Sequence, residues 1–266
     1  MKTKLVVVGA AGRMGRRIVA LAVEAGQFDI AGAVERQGHP NIGKDVGILA
    51  GAGAIDIKLT DAFPKGGEVA IDFSLAEAAD KTLENCLENK LALVSGTTGL
   101  SGAQREKFTA ASKTIPIIYG TNMSVGMNVL FNLVGKVATM LGEEYDVEIT
   151  EQHHRFKKDA PSGSALTLAE NICKATGKDI DKSLTHGRSG DSLRQKGNIG
   201  MHAVRAGDIV GDHSVIFGTL GETVTVNHTA NSRDTFVRGA LRAARWLVGK
   251  GPGLYSMADV LGITST

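Results

Sequence analysis

Five short apolar runs punctuate the first half of the chain: Leu5–Val8, Ile30–Val34, Val69–Phe73, Leu91–Val94 and Ile115–Tyr119. They are rich in Val, Ile and Leu without polar alternation, the pattern of strands buried on both faces of a parallel sheet. Between them, Arg13–Ala25, Leu75–Asn89 and Ser101–Lys113 carry helical spacing, with Ser101 placed as an N-cap and Gly26 as a stop. Such alternation predicts an α/β fold with a doubly wound parallel sheet and right-handed crossovers.

The pattern changes after Asn122. Val125–Leu141 reads as a long helix, Tyr145–Glu151 as a strand with Val147 and Ile149 on one face, and Ser162–Ala175 as a helix closed by Gly177. From His202 to Thr229 three runs alternate as strands, with Arg205–Asp208 and Leu220–Glu222 as the turns. Ser232 then caps a helix running to about Val248, whose expected buried stripe is Phe236, Ala240, Ala243, Leu247 and Val248. The expected organisation is a dinucleotide-binding domain over 1–124, an inserted α+β substrate and tetramerisation domain over 125–232, and a C-terminal helix over 233–266 returning to the first domain. The segment Lys178–Gly200 has little periodicity and is long for a loop, a feature of functional or mobile segments.

Charge narrows the partners. Lys and Arg number 30 against 28 Asp and Glu, too even for a nucleic-acid binder. No stretch approaches the ~20 apolar residues of a membrane span. The opening Met1-Lys2-Thr3-Lys4 followed by Leu5–Val8 superficially resembles an export signal, but the apolar run meets Gly9, Gly12 and Arg13 too soon for one. The expected compartment is the cytoplasm. Two cysteines, Cys86 and Cys173, provide neither a disulfide framework nor metal-ligand spacing.

Gly9-Ala10-Ala11-Gly12-Arg13-Met14-Gly15 follows the first strand and opens the first helix. Small residues there let backbone N–H groups and the positive end of the helix dipole approach a pyrophosphate, as in a Rossmann-type domain. The spacing is G-x-x-G-x-x-G, so the commoner G-x-G-x-x-G form is not met; a tight strand–helix turn without a ligand is the alternative. Glu35 lies about 20 residues past the last glycine, where an acid holds ribose hydroxyls. Arg36 beside it pairs with a 2′-phosphate or is a solvated surface charge. Together they predict NADH and NADPH as alternative cofactors. Gly96-Thr97-Thr98 and Gly120-Thr121-Asn122-Met123 fall at the ends of later strands and are candidates for the nicotinamide end, or ordinary capped turns.

The stretch from Glu151 to Ala165 puts His153, His154, Lys157 and Lys158 ahead of a Pro-Ser-Gly-Ser helix start. Cationic groups facing a helix N-terminus make an anion site, and His and Lys are the usual proton donors near neutral pH. A solvated basic loop and a metal site are the alternatives. Adjacent histidines on a strand point to opposite faces and do not converge on one ion, so no metal is expected.

The same stretch resembles the E-x-H-H-x-x-K-x-D-A-P-S-G-T-A signature of dihydrodipicolinate reductases, and Val204–Gly211 resembles a second block of that family. The glycine turn, Gly96–Gly99 and Asn122–Gly126 fall in the family's order, so the resemblance spans nearly the whole chain. Ser164 replaces the usual Thr, keeping the hydroxyl, and Met123 stands where Phe is common. The resemblance implies His153 and Lys157 as the acid–base pair, with His154, Gly163 and Ser164 holding the carboxylates of a small heterocyclic dicarboxylate. It also implies a homotetramer and hydride transfer from NADH or NADPH to a cyclic imine in lysine and diaminopimelate synthesis. Two readings compete with it: a semialdehyde dehydrogenase, which needs a nucleophilic cysteine, and a non-catalytic nicotinamide sensor, which needs no acid–base pair.

Overall fold

In the computed structural model, which describes residues 1–263, the first half of the chain forms ten elements. They are β1 (Thr3–Val8), α1 (Arg13–Ala25), β2 (Phe28–Val34), α2 (Val46–Ala50), β3 (Leu59–Thr60), β4 (Val69–Asp72), α3 (Ala79–Glu88), β5 (Ala92–Ser95), α4 (Gly102–Ala111) and β6 (Pro116–Tyr119). The second half continues with α5 (Val125–Leu141), β7 (Asp146–His153), α6 (Gly163–Thr176), α7 (Ile180–Ser183), β8 (Leu184–His186) and β9 (Ile199–Arg205). It ends with β10 (Gly211–Thr219), β11 (Glu222–Ala230), α8 (Asp234–Leu247), β12 (Gly253–Tyr255) and α9 (Met257–Leu261). Two compact units result: Met1–Val125 with the segment from Asp234 onward, and Gly126–Arg233.

The first unit holds a seven-stranded sheet in the order β12-β6-β5-β4-β1-β2-β3. All its pairings are parallel. The chain reverses its direction of progress at the β1–β4 junction, the switch point where open α/β sheets bind ligands. The uninterrupted apolar runs are explained by burial on both faces. Leu5 and Val7 pack with Ile18 and Val19 of α1 and Ala240 of α8, while Val6 packs with Leu83 of α3 and Phe108 of α4. Ser101 caps α4 by accepting from the Gln104 N–H, and Gly26 ends α1 at φ 64°.

Some expectations shift. The helix expected from Leu75 begins at Ala79, after a 3₁₀ turn at Ala76–Ala78. The buried stripe of α8 is Val237, Ala240, Leu241, Ala243, Ala244 and Leu247, whereas Phe236 and Val248 are only half-buried. Small residues dominate that stripe because the helix lies close: a Cβ at Gly239 would strike the Met123 carbonyl. Beyond α8 the chain adds β12 as a parallel edge strand beside β6, where the sequence had indicated only a helix.

The second unit holds a five-stranded mixed sheet ordered β11-β10-β7-β9-β8. Helices α5 and α6 cover one face, where Val147, Ile149, Val215 and Phe217 meet Met127, Val134, Leu168 and Ile172. The links do not all form hairpins. β9 and β10 lie on either side of β7, parallel and antiparallel to it, so residues 206–210 cross the end of β7. The long segment after Lys178 contains α7 and β8 before its irregular stretch.

Candidate functional site

Strand periodicity and register assemble the second unit's cluster. β7 runs two residues further than expected, through His153, which places Glu151 and His153 on one face and His154 beyond the strand. In the parallel pairing of β7 with β9, His153 stands opposite Arg205. The crossing link is tied to the same point, since the Ala206 N–H donates to the His153 carbonyl at 2.9 Å and the Arg155 N–H to the Gly207 carbonyl at 3.1 Å. The two family-like blocks of the sequence therefore meet.

At the centre is the Glu151 carboxylate, with a side-chain exposure of 0%. It accepts four hydrogen bonds. His153 Nδ1 lies 2.6 Å from Oε2, Arg205 Nη1 and Nη2 donate at 2.8 and 2.7 Å, and the Ser162 N–H donates to Oε1 at 3.0 Å. Burial pushes this carboxyl up, but the hydrogen bonds from His153 and Arg205 outweigh it and hold the group down to about 2. The ring of His213 on β10 meets His153 edge-on at 5.1 Å, and its Nε2 shares a 3.1 Å hydrogen bond with Ser162 Oγ. Burial, with His153 beside it, pushes His213 down to about 4, so it is neutral near pH 7.

Ser162 also caps α6, accepting from the Ala165 N–H at 3.2 Å. The first turn of α6 carries Gly163, exposed and with open space where a Cβ would stand, and the half-buried Ser164. Lys157 lies on the loop leading to that helix. Its Nζ donates to both oxygens of Asp159 at 2.8 and 2.9 Å. Burial raises the Asp159 carboxyl, but the Lys157 hydrogen bond and charge outweigh it and hold the group below the usual carboxylate range. His154 is half-buried beside the exposed Phe156 ring. The cluster thus combines an ordered imidazole, a paired ammonium and a helix N-terminus, a combination suited to holding carboxylates and moving a proton.

In the first unit, the glycine turn is shaped by contacts that tolerate no side chain. Gly9 has φ +70°, and a Cβ at Gly15 would collide with the Gly9 carbonyl. Gly9, Gly12, Arg13, Met14, Glu35 and Arg36 line a cavity of ≈ 710 Å³, together with Phe63, Ser74, Lys81 and Asn85. Its size and its glycine floor at the N-terminus of α1 fit a dinucleotide. The Glu35 carboxylate accepts from the N–H groups of Ala11 at 3.2 Å and Arg36 at 3.0 Å, tying the chain just after β2 to the turn. The other sequence candidates do not line this cavity, although Ala10 and Ala11 belong to the turn itself and the Ala11 N–H reaches Glu35. Ala10, Ala11, Gly96, Thr97 and Met123 are buried, while Thr98 and Thr121 are exposed, and Gly120 and Asn122 are half-buried. Thr97 Oγ1 donates to the buried Asp72 at 3.2 Å, so its hydroxyl braces the ends of β4 and β5.

Sequence reasoning did not assign Glu151, Arg205, Ser162 or His213 to the site. Glu151 had a usable signal, being two positions before His153 on a strand. Arg205 and His213 come into place only through the β9-β7-β10 order. Both cysteines are buried, and burial raises each thiol, which favours packing over nucleophilic roles.

Comparison with known proteins gives concordant matches. Residues 3–123 match a family model described as dihydrodipicolinate reductase, N-terminus, and residues 126–261 one described as dihydrodipicolinate reductase, C-terminus. The chain is 47% identical over 265 residues to a 4-hydroxy-tetrahydrodipicolinate reductase of Geobacter sulfurreducens, covering 98% of this chain and 99% of the other. It is 45% identical over 266 residues to one of Syntrophus aciditrophicus, with 98% and 99% covered. Among solved structures it resembles a dipicolinate-bound dihydrodipicolinate reductase from Paenisporosarcina sp. TG-14, at TM-score 0.75 and 19% identity over 97% of this chain and 99% of that one. An amine dehydrogenase from Mycobacterium smegmatis shares the fold at TM-score 0.64 and 13% identity, with 96% and 95% covered.

Proposed function

The chain belongs to the dihydrodipicolinate reductase family, and we propose that its activity is reduction of 4-hydroxy-tetrahydrodipicolinate, or of its dehydrated form, to tetrahydrodipicolinate in lysine and diaminopimelate synthesis. The reductant is NADH or NADPH, as in that family. One observation in the second unit carries the reading: a carboxylate–histidine pair joined through Arg205, which donates to both Glu151 and the Asp159 carbonyl, to the loop that carries Lys157 and leads into the N-terminus of α6.

When bound in the first unit, the nicotinamide supplies the hydride. Gly9, Ala10, Ala11, Gly12, Arg13 and Met14 would hold the pyrophosphate, and Glu35 and Arg36 the adenosine ribose or its 2′-phosphate. Gly96, Thr97, Thr98, Gly120, Thr121, Asn122 and Met123 would shape the nicotinamide end, with the buried Thr97 and Met123 acting through backbone and loop conformation. In the second unit His154, Gly163 and Ser164 hold the two carboxylates. The hydroxylated ring first loses water to give a C=C conjugated with the imine; hydride adds to the far carbon of that C=C, and the enamine so formed takes a proton at the neighbouring carbon. Lys157 donates that proton, and His153 relays its replacement. Asp159 positions the Lys157 ammonium until a substrate carboxylate exchanges with it.

The protein acts as a cytoplasmic homotetramer in this reading. Self-association is supported by the second unit's sheet, since α5 and α6 cover one face and the other presents Ser214, Ile216, Thr225 and Asn227. The test of function is oxidation of NADH and of NADPH with substrate generated in situ by the synthase that condenses it. Turnover with both cofactors is expected. No oxidation of either, with the synthase shown to be working, overturns the assignment.

A further inference from the structure

We infer that Glu151 is the positioning residue of the proton relay: it fixes the tautomer of His153, so that Nδ1 carries the ring proton and Nε2 is the atom that exchanges protons. The inference rests on the proton-relay role proposed for His153 and adds how that role is enforced.

The argument starts from donor and acceptor inventories. A carboxylate has no proton to donate, so the 2.6 Å contact between Glu151 Oε2 and His153 Nδ1 requires the hydrogen to reside on Nδ1. Arg205 keeps the carboxylate charged by a two-pronged contact at 2.7 and 2.8 Å, and the Ser162 N–H fills the remaining direction at 3.0 Å. Glu151 therefore cannot swing away without stripping the half-buried Arg205 guanidinium of its carboxylate partner and leaving it only the Val204 and Asp159 carbonyls, a costly change. The histidine itself is held between β7 and β10, its ring edge-on to the neutral His213. Space beside Nε2 is kept by Gly211, where a Cβ would stand 3.2 Å from that nitrogen. Arg205 and the Ser162 N–H could anchor Glu151 without His153. The contact with Nδ1 is what links this anchored charge to the proton-transfer chemistry.

The test reads the tautomer directly. ¹⁵N NMR of protein labelled in histidine, with the His153 signals assigned by their loss in His153→Asn, reports which ring nitrogen bears hydrogen when the ring is neutral. In the unmodified protein Nδ1–H is expected; an Nε2–H tautomer overturns the inference. Glu151→Gln keeps an oxygen for Arg205 and Ser162 but turns an NH₂ donor toward Nδ1. The tautomer should then invert, and kcat should fall by about 100-fold, the lower end of what positioned proton transfer contributes, with NADH affinity unchanged. A Glu151→Gln protein that keeps Nδ1–H, or keeps its kcat, also overturns it. If that variant does not fold, the tautomer in the unmodified protein decides alone. Normal turnover in His153→Asn would instead defeat the relay role of His153 and leave the tautomer result standing, so the two failures are distinguishable.

Discussion

Acid should weaken the second unit through one buried histidine. His213 is 3% exposed, bonded through Nε2 to Ser162 Oγ, and faced by His153 and Glu151 on β7, His228 on β11 and Lys157. Burial, then His153, holds it down to about 4 in the folded chain, against about 6.5 for an unperturbed histidine. The unfolded chain therefore binds this proton more tightly. The stability His213 contributes is complete above pH ~6.5 and is lost as pH falls through ~4. Between about pH 7 and about pH 5 the loss amounts to just under ~2 kcal/mol, or roughly 20-fold in the opening equilibrium. Glu151 adds a second loss below about pH 4.5, because its folded-state value of about 2 is also depressed. Trp246 is the single tryptophan and lies in the first unit, so its fluorescence is the wrong probe. Amide hydrogen exchange of peptides from β7 and β10, corrected for intrinsic rates, reports the right unit. The comparison is His213→Gln, which keeps a partner for Ser162 but does not titrate. Protection in the unmodified protein should fall about 20-fold more than in the variant over this pH range. Equal pH dependence in the two proteins would refute the reasoning.

Three further outcomes are expected. Glu35→Ala should weaken NADH binding by about 1–3 kcal/mol, the scale of a charged hydrogen bond, and NADPH binding by less; the tie to the Ala11 N–H makes some loss common to both, and equal losses by calorimetry would remove Glu35 from the ribose. Lys157→Ala should lower turnover by roughly 100-fold or more and raise the substrate KM, while His153→Ala lowers kcat with little change in KM; near-normal turnover in a folded Lys157→Ala protein would leave His153 as the sole proton donor. Gly15→Ala should abolish NADH binding measured by fluorescence titration, because its Cβ meets the Gly9 carbonyl and distorts the turn; unchanged affinity would mean that the glycine turn does not carry the pyrophosphate.

The sequence revealed most where one physical rule dominates. Uninterrupted Val/Ile/Leu runs can be buried only on two faces, so the parallel sheet was legible, as were caps such as Ser101 and stops such as Gly26. Short elements were not: β3, β8 and β12 have two or three residues each, too few to show a period. At the candidate site, His153 and Lys157 stood out because their chemistry and family signature lie in one stretch. Arg205 and His213 did not, since their roles depend on β7 lying between β9 and β10, and no local pattern specifies strand order. The stripe of α8 was partly legible. Ala240, Ala243 and Leu247 are buried as expected, but the expectation also favoured the large Phe236 and Val248, whereas close approach to the sheet selected Gly239 and Ala244, with Val237 and Leu241 beside them.

The central claim is that this chain delivers hydride from a nicotinamide to a cyclic imine dicarboxylate. The most direct measurement follows the atom. With NADH deuterated on the transferred face of the nicotinamide and substrate made in situ by the synthase, mass spectrometry of the product should find one deuterium in the tetrahydrodipicolinate ring. Lys157→Ala should slow its appearance without changing its position. Product formed without deuterium, or deuterated NADH left unconsumed beside a working synthase, would contradict the account.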